Sequence, residues 1–340
     1  MICIKYDKRG NEMRSIIVVG LGSMGKRRVR LIKETFSEYI VYGIDLEKSR
    51  REEVEKIYKI ECFADIKNVE SKTDIVAAFI CTSPLSHNLL IKKCLEQKWN
   101  VFTELNLVSD GYEENIKLAE KNKCILFLSS TFLYRDEINY IKNHIDSKQK
   151  WNYIYHVGQY LPDWHPWENY REYFVGDIRT NGCRELMAIE LPWITKIFGS
   201  IEDFRVSSDK LTNLDIQYND NYMIQLYHKG GNKGILLIDV VSPVAVRNLE
   251  IYTENRYLKW SGTPDTLYKY NQENDCLEQI KFNEKVEHVD GYRNFVIENA
   301  YRNEIIEFMK SINNGKEQIY TFEDDLKILS IIDKLEDRFD

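Results

Sequence analysis

Long apolar runs are missing from this chain: no stretch approaches the roughly 20 residues that a membrane-spanning helix needs. No N-terminal segment runs from charged to apolar to small residues, so no secretory signal is expected. CxxC pairs are also missing. The seven cysteines, Cys3, Cys62, Cys81, Cys94, Cys124, Cys183 and Cys276, are odd in number and widely scattered. That argues against a disulfide framework and for reduced, mostly buried thiols in a cytoplasmic protein. There is no surplus of positive charge: 47 Lys and Arg stand against 54 Asp and Glu, a net charge of -7. Nucleic-acid binding without sequence preference needs clustered basic residues, so no nucleic acid is expected as a partner. The densest early basic run, Lys26-Arg27-Arg28, is expected to be a solvated helix face. His144, His156, His228 and His288 lack metal-ligand spacing, and no metal is expected. Internal repeats and low-complexity tracts are absent.

What the chain does contain is enough apolar sequence for two cores, 43% hydrophobic residues over 340 positions. Residues 1–13 read as an N-terminal extension, the first twelve of them dispensable. From Ser15 the pattern alternates between short apolar runs and helical periodicity. Ile16-Ile17-Val18-Val19, Ile40 to Ile44, Ile75 to Ile80, Asn100 to Thr103 and Ile125 to Leu128 read as buried strands. Helical stretches lie between them, which implies a parallel sheet with right-handed crossovers over residues 14–134. Past Trp151 the grammar changes. Strand candidates at Tyr153–Tyr160, Phe204–Ser207, Tyr222–His228, Gly234–Val241, Asn248–Tyr252 and Leu258–Ser261 are separated by Asn, Asp and Gly turns. They read as an antiparallel meander within an α+β domain over 135–340. Two helices close the chain. Gly315 is a plausible C-cap, and Thr321 with Asp324 forms a capping box. The C-terminal helices are expected to pack back on the first domain.

Gly20-Leu21-Gly22-Ser23-Met24-Gly25 matches GxGxxG, follows a predicted strand and opens a helix. Gly20 permits the tight turn, Gly22 lets a pyrophosphate approach the backbone, and Gly25 lets helix and strand pack closely. The helix N-terminus then offers unpaired N–H groups to the phosphates. Asp45 ends the second strand about twenty residues on, where a carboxylate accepts from ribose hydroxyls and repels a 2′-phosphate. NAD is therefore favoured over NADP, with Arg50 and Arg51 nearby moderating the preference.

On these and further motifs the sequence resembles the Gfo/Idh/MocA family of sugar and nucleotide-sugar dehydrogenases from about residue 14 onward. Ile80-Cys81-Thr82-Ser83-Pro84-Leu85-Ser86-His87 resembles the family segment beside the nicotinamide. Phe102-Thr103-Glu104-Leu105-Asn106 stands at its Glu-Lys-Pro position, and Thr131-Phe132-Leu133-Tyr134 resembles its hinge. Gly158 to Trp164, running on to Trp167 and Tyr170-Arg171, resembles a subgroup tied to bacterial surface-glycan biosynthesis. The resemblance implies cofactor contacts from Thr82, Ser83, Pro84, His87 and Glu104, a substrate contact from Asn106, and a homodimer or homotetramer built through sheet faces. For His87 the alternative is local hydrogen bonding at a helix start; for Glu104 it is a carboxylate paired for structure.

The departures are as informative. Leu105 replaces the family lysine, and Leu186 and Ile189 stand where the family carries an Asp and a His. Two readings follow. The first is an NAD-dependent oxidoreductase acting on a sugar, with a rearranged acid/base set drawn from Glu190, Glu185 and His165, and with Arg184 or Arg171 binding an anionic group. On a helix Glu185 and Glu190 diverge by about 140°, so one of them faces a given pocket, and Glu190 is preferred. Trp164 and Trp167 could form a stacking wall for the sugar, or plug the core, and Tyr170 is a further candidate for substrate contact. Cys183 beside Arg184 reads as a buried thiol. The second reading is a catalytically silent NAD-binding protein with a regulatory or structural role.

Overall fold

The structure, a computed structural model, describes residues 14–69, 74–146, 148–166, 168–282 and 297–337. The N-terminal extension, Trp167 and His288 lie outside them. The chain divides into two units, Met1–Ser130 with Tyr301–Leu326, and Thr131–Ala300 with Lys327–Asp340.

In the first unit strands and helices alternate: β1 Ser15–Val19, α1 Ser23–Thr35, β2 Ile40–Ile44, α2 Lys48–Tyr58, β3 Glu61–Phe63, β4 Ile75–Ile80, α3 His87–Glu96, β5 Asn100–Thr103, α4 Tyr112–Asn122 and β6 Leu126–Leu128. All pairings are parallel, in the order β3-β2-β1-β4-β5-β6. Every residue of β1 and β4 is buried, as two covered faces require. Phe79, Phe102 and Phe127 sit in register on neighbouring strands. Their rings stack at 4.8 and 5.2 Å between centroids, and Phe308 packs against all three. That contact explains why residues 301–326 group with the first unit rather than with 135–340, where the sequence division placed them.

The second unit contains α5 Asp136–His144, β7 Asn152–Gly158, α6 Gly182–Phe198, β8 Ile201–Asp209, β9 Asn221–His228, β10 Lys233–Asp239, β11 Val246–Tyr252, β12 Tyr257–Trp260, β13 Tyr268–Asn271 and β14 Cys276–Gln279. The sheet order is β14-β13-β12-β11-β7-β10-β9-β8. The pairs are antiparallel except β7 with β10. The expected meander is therefore interrupted: β7, first in sequence, lies between β11 and β10. Strand β7 alternates, with Tyr153, Tyr155 and Val157 buried and Ile154 exposed. The buried side of the sheet packs on α6, where Trp193 meets Tyr155 edge to face at 5.5 Å.

Two further helices, α7 Glu298–Asn314 and α8 Phe322–Leu335, close the chain. Gly315 follows α7 with φ +64° and donates its N–H to Ser311, as a helix C-cap does. The Thr321 hydroxyl accepts the Asp324 N–H at 3.2 Å and opens α8.

Candidate functional site

The turn from β1 into α1 is shaped by its glycines. Gly20 has φ +88°, and a Cβ there would lie 2.8 Å from the Cys81 backbone. At Gly25 a Cβ would stand 1.8 Å from the Gly20 carbonyl oxygen, so helix and strand touch through hydrogen alone. At Gly22 a Cβ would meet nothing within 4 Å. The second glycine thus borders open space, while the first and third are held by contact, which is the division of labour a pyrophosphate cradle requires. Ser23 and Met24 form the first residues of α1. Asp45 follows β2, buried, and accepts the N–H groups of Leu21 at 2.7 Å and Glu47 at 2.8 Å. It ties the glycine loop to the end of β2. Arg51 donates to the carbonyls of Asp45 and Leu46, and Arg50 lies 3.8 Å from the Asp45 carboxylate.

The loop after β4 is fixed from beneath by a buried imidazole. His87 Nε2 lies 2.9 Å from the Thr82 carbonyl oxygen, and Nδ1 faces Asn106 and the Thr103 hydroxyl. Burial pushes the His87 imidazole below its usual value, so the ring is neutral at pH 7. With Nε2–H donating to Thr82, Nδ1 is bare and needs a donor. The Asn106 amide nitrogen is buried without a partner when its oxygen faces the ring. Turning the amide over satisfies both groups. His87 and Asn106 are each 2% exposed, and both border a small pocket with Pro84, Leu85, Asn88, Ile91 and Tyr112. Thr82 also bonds Ser86 hydroxyl to hydroxyl at 2.7 Å, and Ser83-Pro84 opens a short 3-10 turn.

Glu104, at the end of β5, is held by Arg28 at 2.5 and 3.1 Å. Arg28 is fully buried, also meets Glu304 at 2.8 Å, and lies over the Phe102 ring at 4.5 Å. The expectation of a solvated face for Lys26-Arg27-Arg28 is thus corrected. Lys26 pairs with Glu53 near the surface, whereas Arg27 packs over Tyr301 and Arg28 serves two carboxylates. Burial, followed by the attraction of Arg28, sets Glu304, whose carboxyl stands above its usual value.

In the second unit the preferred base is corrected as well. Glu190 is fully buried. One oxygen accepts Arg247 at 3.0 and 2.5 Å, and the other accepts Tyr155 at 2.8 Å and Trp193 at 2.7 Å. Four donors fill the four acceptor positions of a carboxylate, leaving none for a substrate proton. Arg184 is also buried, with its arms on Asp333 and Glu336, so it is not presented to an anionic ligand. Burial raises the Cys183 thiol, in keeping with an inert buried group. Arg171 forms an exposed pair with Asp215 at 2.9 Å, and the Tyr170 hydroxyl accepts the Asp215 N–H.

Glu185 stands apart. It sits in the first turn of α6, which Asn181 caps by accepting the Arg184 N–H. Its Oε2 is buried with no hydrogen-bond partner, and burial pushes its carboxyl up to about 7. The neighbouring loop brings His165, stacked on Tyr173 at 4.8 Å and 3.1 Å from Glu168. It also brings Trp164, whose indole N–H donates to the Gln159 carbonyl at 3.0 Å. Tyr173 carries no motif, and only the density of aromatic residues between Trp164 and Phe174 marks its segment. Among the described residues no cluster of His, Cys, Asp and Glu suits a metal, and no helix is long and apolar enough to cross a membrane.

Residues 14–130 match the Gfo/Idh/MocA family model, described as an oxidoreductase family with an NAD-binding Rossmann fold. No curated protein sequence matches the chain. Solved structures share its fold over nearly its whole length. An oxidoreductase from Agrobacterium radiobacter, in complex with NAD+, L-tartaric acid and magnesium, superposes with a TM-score of 0.76 at 13% identity, covering 95% of each chain. UDP-N-acetylglucosamine 3-dehydrogenase from Acidithiobacillus ferrooxidans gives 0.73 at 14% identity, covering 95% of this chain and 97% of that one. Biliverdin reductase from Synechocystis, bound to biliverdin and NADP+, gives 0.74 at 13% identity, covering 96% and 98%.

Proposed function

Because this chain belongs to the Gfo/Idh/MocA oxidoreductases through its NAD-binding Rossmann domain, we propose that it interconverts a hydroxyl and a keto carbon on a sugar or nucleotide-linked sugar, with NAD as its cofactor. The observation that carries the reading is the glycine turn, tight at Gly20 and Gly25 and open at Gly22, with Asp45 behind it. When bound, NAD supplies a hydride acceptor at its nicotinamide. The residues that would hold it are Gly20, Gly22, Ser23, Met24, Gly25 and Asp45. Thr82, Ser83 and Pro84 complete the set from the loop that His87 braces. Arg28 and Glu304 orient Glu104, whose side chain keeps 12% exposure, on the same unit. The aromatic loop around Trp164 and Tyr170 supports a sugar substrate, since flat rings suit the apolar faces of pyranoses. Ile154, Ile235 and Met223 are exposed on one face of the second sheet, which supports a homo-oligomer; light scattering would size it.

Calorimetry on the folded chain tests the reading. NAD+ is expected to bind more tightly than NADP+. Gly22→Val should abolish binding with little change in melting temperature, because the added atoms meet no protein. A panel of free and UDP-linked sugars should then yield reduced nicotinamide for at least one of them. No heat from either dinucleotide, or a Gly22→Val variant that binds like the wild type, overturns the proposal.

A further inference from the structure

Arg50 and Arg51 are neighbours in sequence, yet the structure gives them different partners. Arg51 Nη1 donates to the carbonyl oxygens of Asp45 at 2.7 Å and Leu46 at 2.9 Å. It braces the main chain where β2 turns into α2. Arg50 is held by two ion pairs instead. Its Nη1 stands 3.8 Å from Asp45 Oδ2 and its Nη2 3.3 Å from Glu47 Oε1. The Arg50 side chain is 44% exposed and that of Glu47 56%. Glu47 is the N-cap residue of α2, but its side chain makes no capping bond. Leu46, between Asp45 and Glu47, is 87% exposed, so the turn lies open to solvent. Each Asp45 oxygen already accepts one N–H, from Leu21 or from Glu47. A carboxylate has four acceptor positions, which leaves two for ribose hydroxyls.

We propose that Arg50 sets the dinucleotide preference of this chain: it is a binding group for a ribose 2′-phosphate, Glu47 competes for it, and NADP+ is a second ligand beside NAD+. The assignment rests on the oxidoreductase reading and deepens it by naming the side chains that tune cofactor choice. A 2′-phosphate meets opposing charges at this strand end. Asp45 repels it, which favours NAD+. Arg50 stands 3.8 Å from the same carboxylate and offsets part of that repulsion. Its planar fork also suits two phosphate oxygens at once. Glu47 draws the guanidinium the other way. An exposed ion pair of this kind is weak, so Arg50 leaves Glu47 at little cost. Arg51 cannot take the same part, because releasing its two carbonyls would loosen the turn that carries Asp45. On α2 Lys48 pairs with Glu52 at 3.4 Å, and the first turn holds no acidic side chain. The start of the helix therefore adds no further repulsion. Cofactor choice comes down to Asp45 against the extra phosphate, Arg50 for it, and Glu47 setting how free Arg50 is.

The experiment is calorimetry on the full chain with NAD+ and NADP+, and with 5′-AMP and adenosine 2′,5′-bisphosphate as fragment probes. The wild type should bind NADP+ within about tenfold of NAD+, as one solvent-screened repulsion allows. Arg50→Ala should weaken NADP+ and the bisphosphate about tenfold, the effect of losing a charged hydrogen bond. NAD+ and 5′-AMP should stay within about twofold, since neither carries the extra phosphate. Arg50→Lys keeps the charge without the fork and should fall between the wild type and the Ala variant. Glu47→Gln should tighten NADP+ by up to about fivefold, the worth of one surface pair, and that gain should fade as salt is raised. Arg51→Met should weaken both dinucleotides alike. An Arg50→Ala variant that loses NAD+ and NADP+ equally, or that keeps its NADP+ affinity, overturns the assignment. So does a loss selective for NADP+ that follows Arg51 instead. A wild type that binds NAD+ but gives no heat with NADP+ removes this assignment and leaves the oxidoreductase reading standing. Binding of neither dinucleotide removes both.

Discussion

Glu185 and Glu190 lie five positions apart on one helix, yet the two regions around them treat a buried carboxylate in opposite ways. The region of Glu190 surrounds it with a guanidinium, a phenol and an indole, so its charge is held and its acceptors are filled. The region of Glu185 offers burial without donors, and the carboxyl keeps its proton up to about 7. Partners turn burial into a fixed structural charge, whereas their absence turns it into an exchangeable proton. The first unit repeats the former solution at Arg28, between Glu104 and Glu304.

Breaking the Glu190 side should have the largest effect. Arg247→Met strands a carboxylate in the core and should cost about 3–5 kcal/mol in urea unfolding. Adding Glu190→Gln should recover much of that loss, because the stranded charge is gone. A cost under about 1 kcal/mol for the single variant would mean that the pair carries no structural load. The Glu185 side should show instead as pH dependence. Its folded-state value is about 7 against an ordinary 4.5, so the native state holds this proton more tightly than the unfolded chain. The stabilisation is fully present below pH 4.5 and fades as pH rises through 7. Relative to Glu185→Gln, the wild type should lose up to about 3 kcal/mol across that window. A flat difference between the two proteins would show that Glu185 titrates normally.

How much of this was legible varies with the kind of interaction. The parallel sheet and its glycine turn are local: apolar runs, spaced glycines and a carboxylate at a strand end lie within about thirty residues, and each asks for a particular residue type. Strand β3, three residues with only partial burial, and the polar strands β13 and β14 carry no such signal. Nor does the place of β7 between two later strands, which depends on pairing across more than 80 residues. The side-chain assignments failed where partners are distant. Nothing near Glu190 in sequence announces Arg247, nothing near Arg184 announces Asp333, and Arg28 looked solvated because Glu304 lies 276 positions away. Glu185 is a candidate in the sequence but Glu190 is preferred to it, since orphaned burial has no sequence signature.

The smallest effects sharpen the contrast most, because they delete the same atom in the two regions. Tyr155→Phe removes a hydroxyl that donates to Glu190 at 2.8 Å. It should cost about 1–2 kcal/mol, since an acceptor position on a buried carboxylate is left empty. Tyr173→Phe removes a buried hydroxyl with no partner. With no bond to lose, and with an unpaired dipole relieved, the change should be neutral or stabilising by up to about 1 kcal/mol. Thermal unfolding of the two variants without ligand measures the difference directly. Equal destabilisation would show that the Tyr173 hydroxyl has a hydrogen-bond partner in the folded protein.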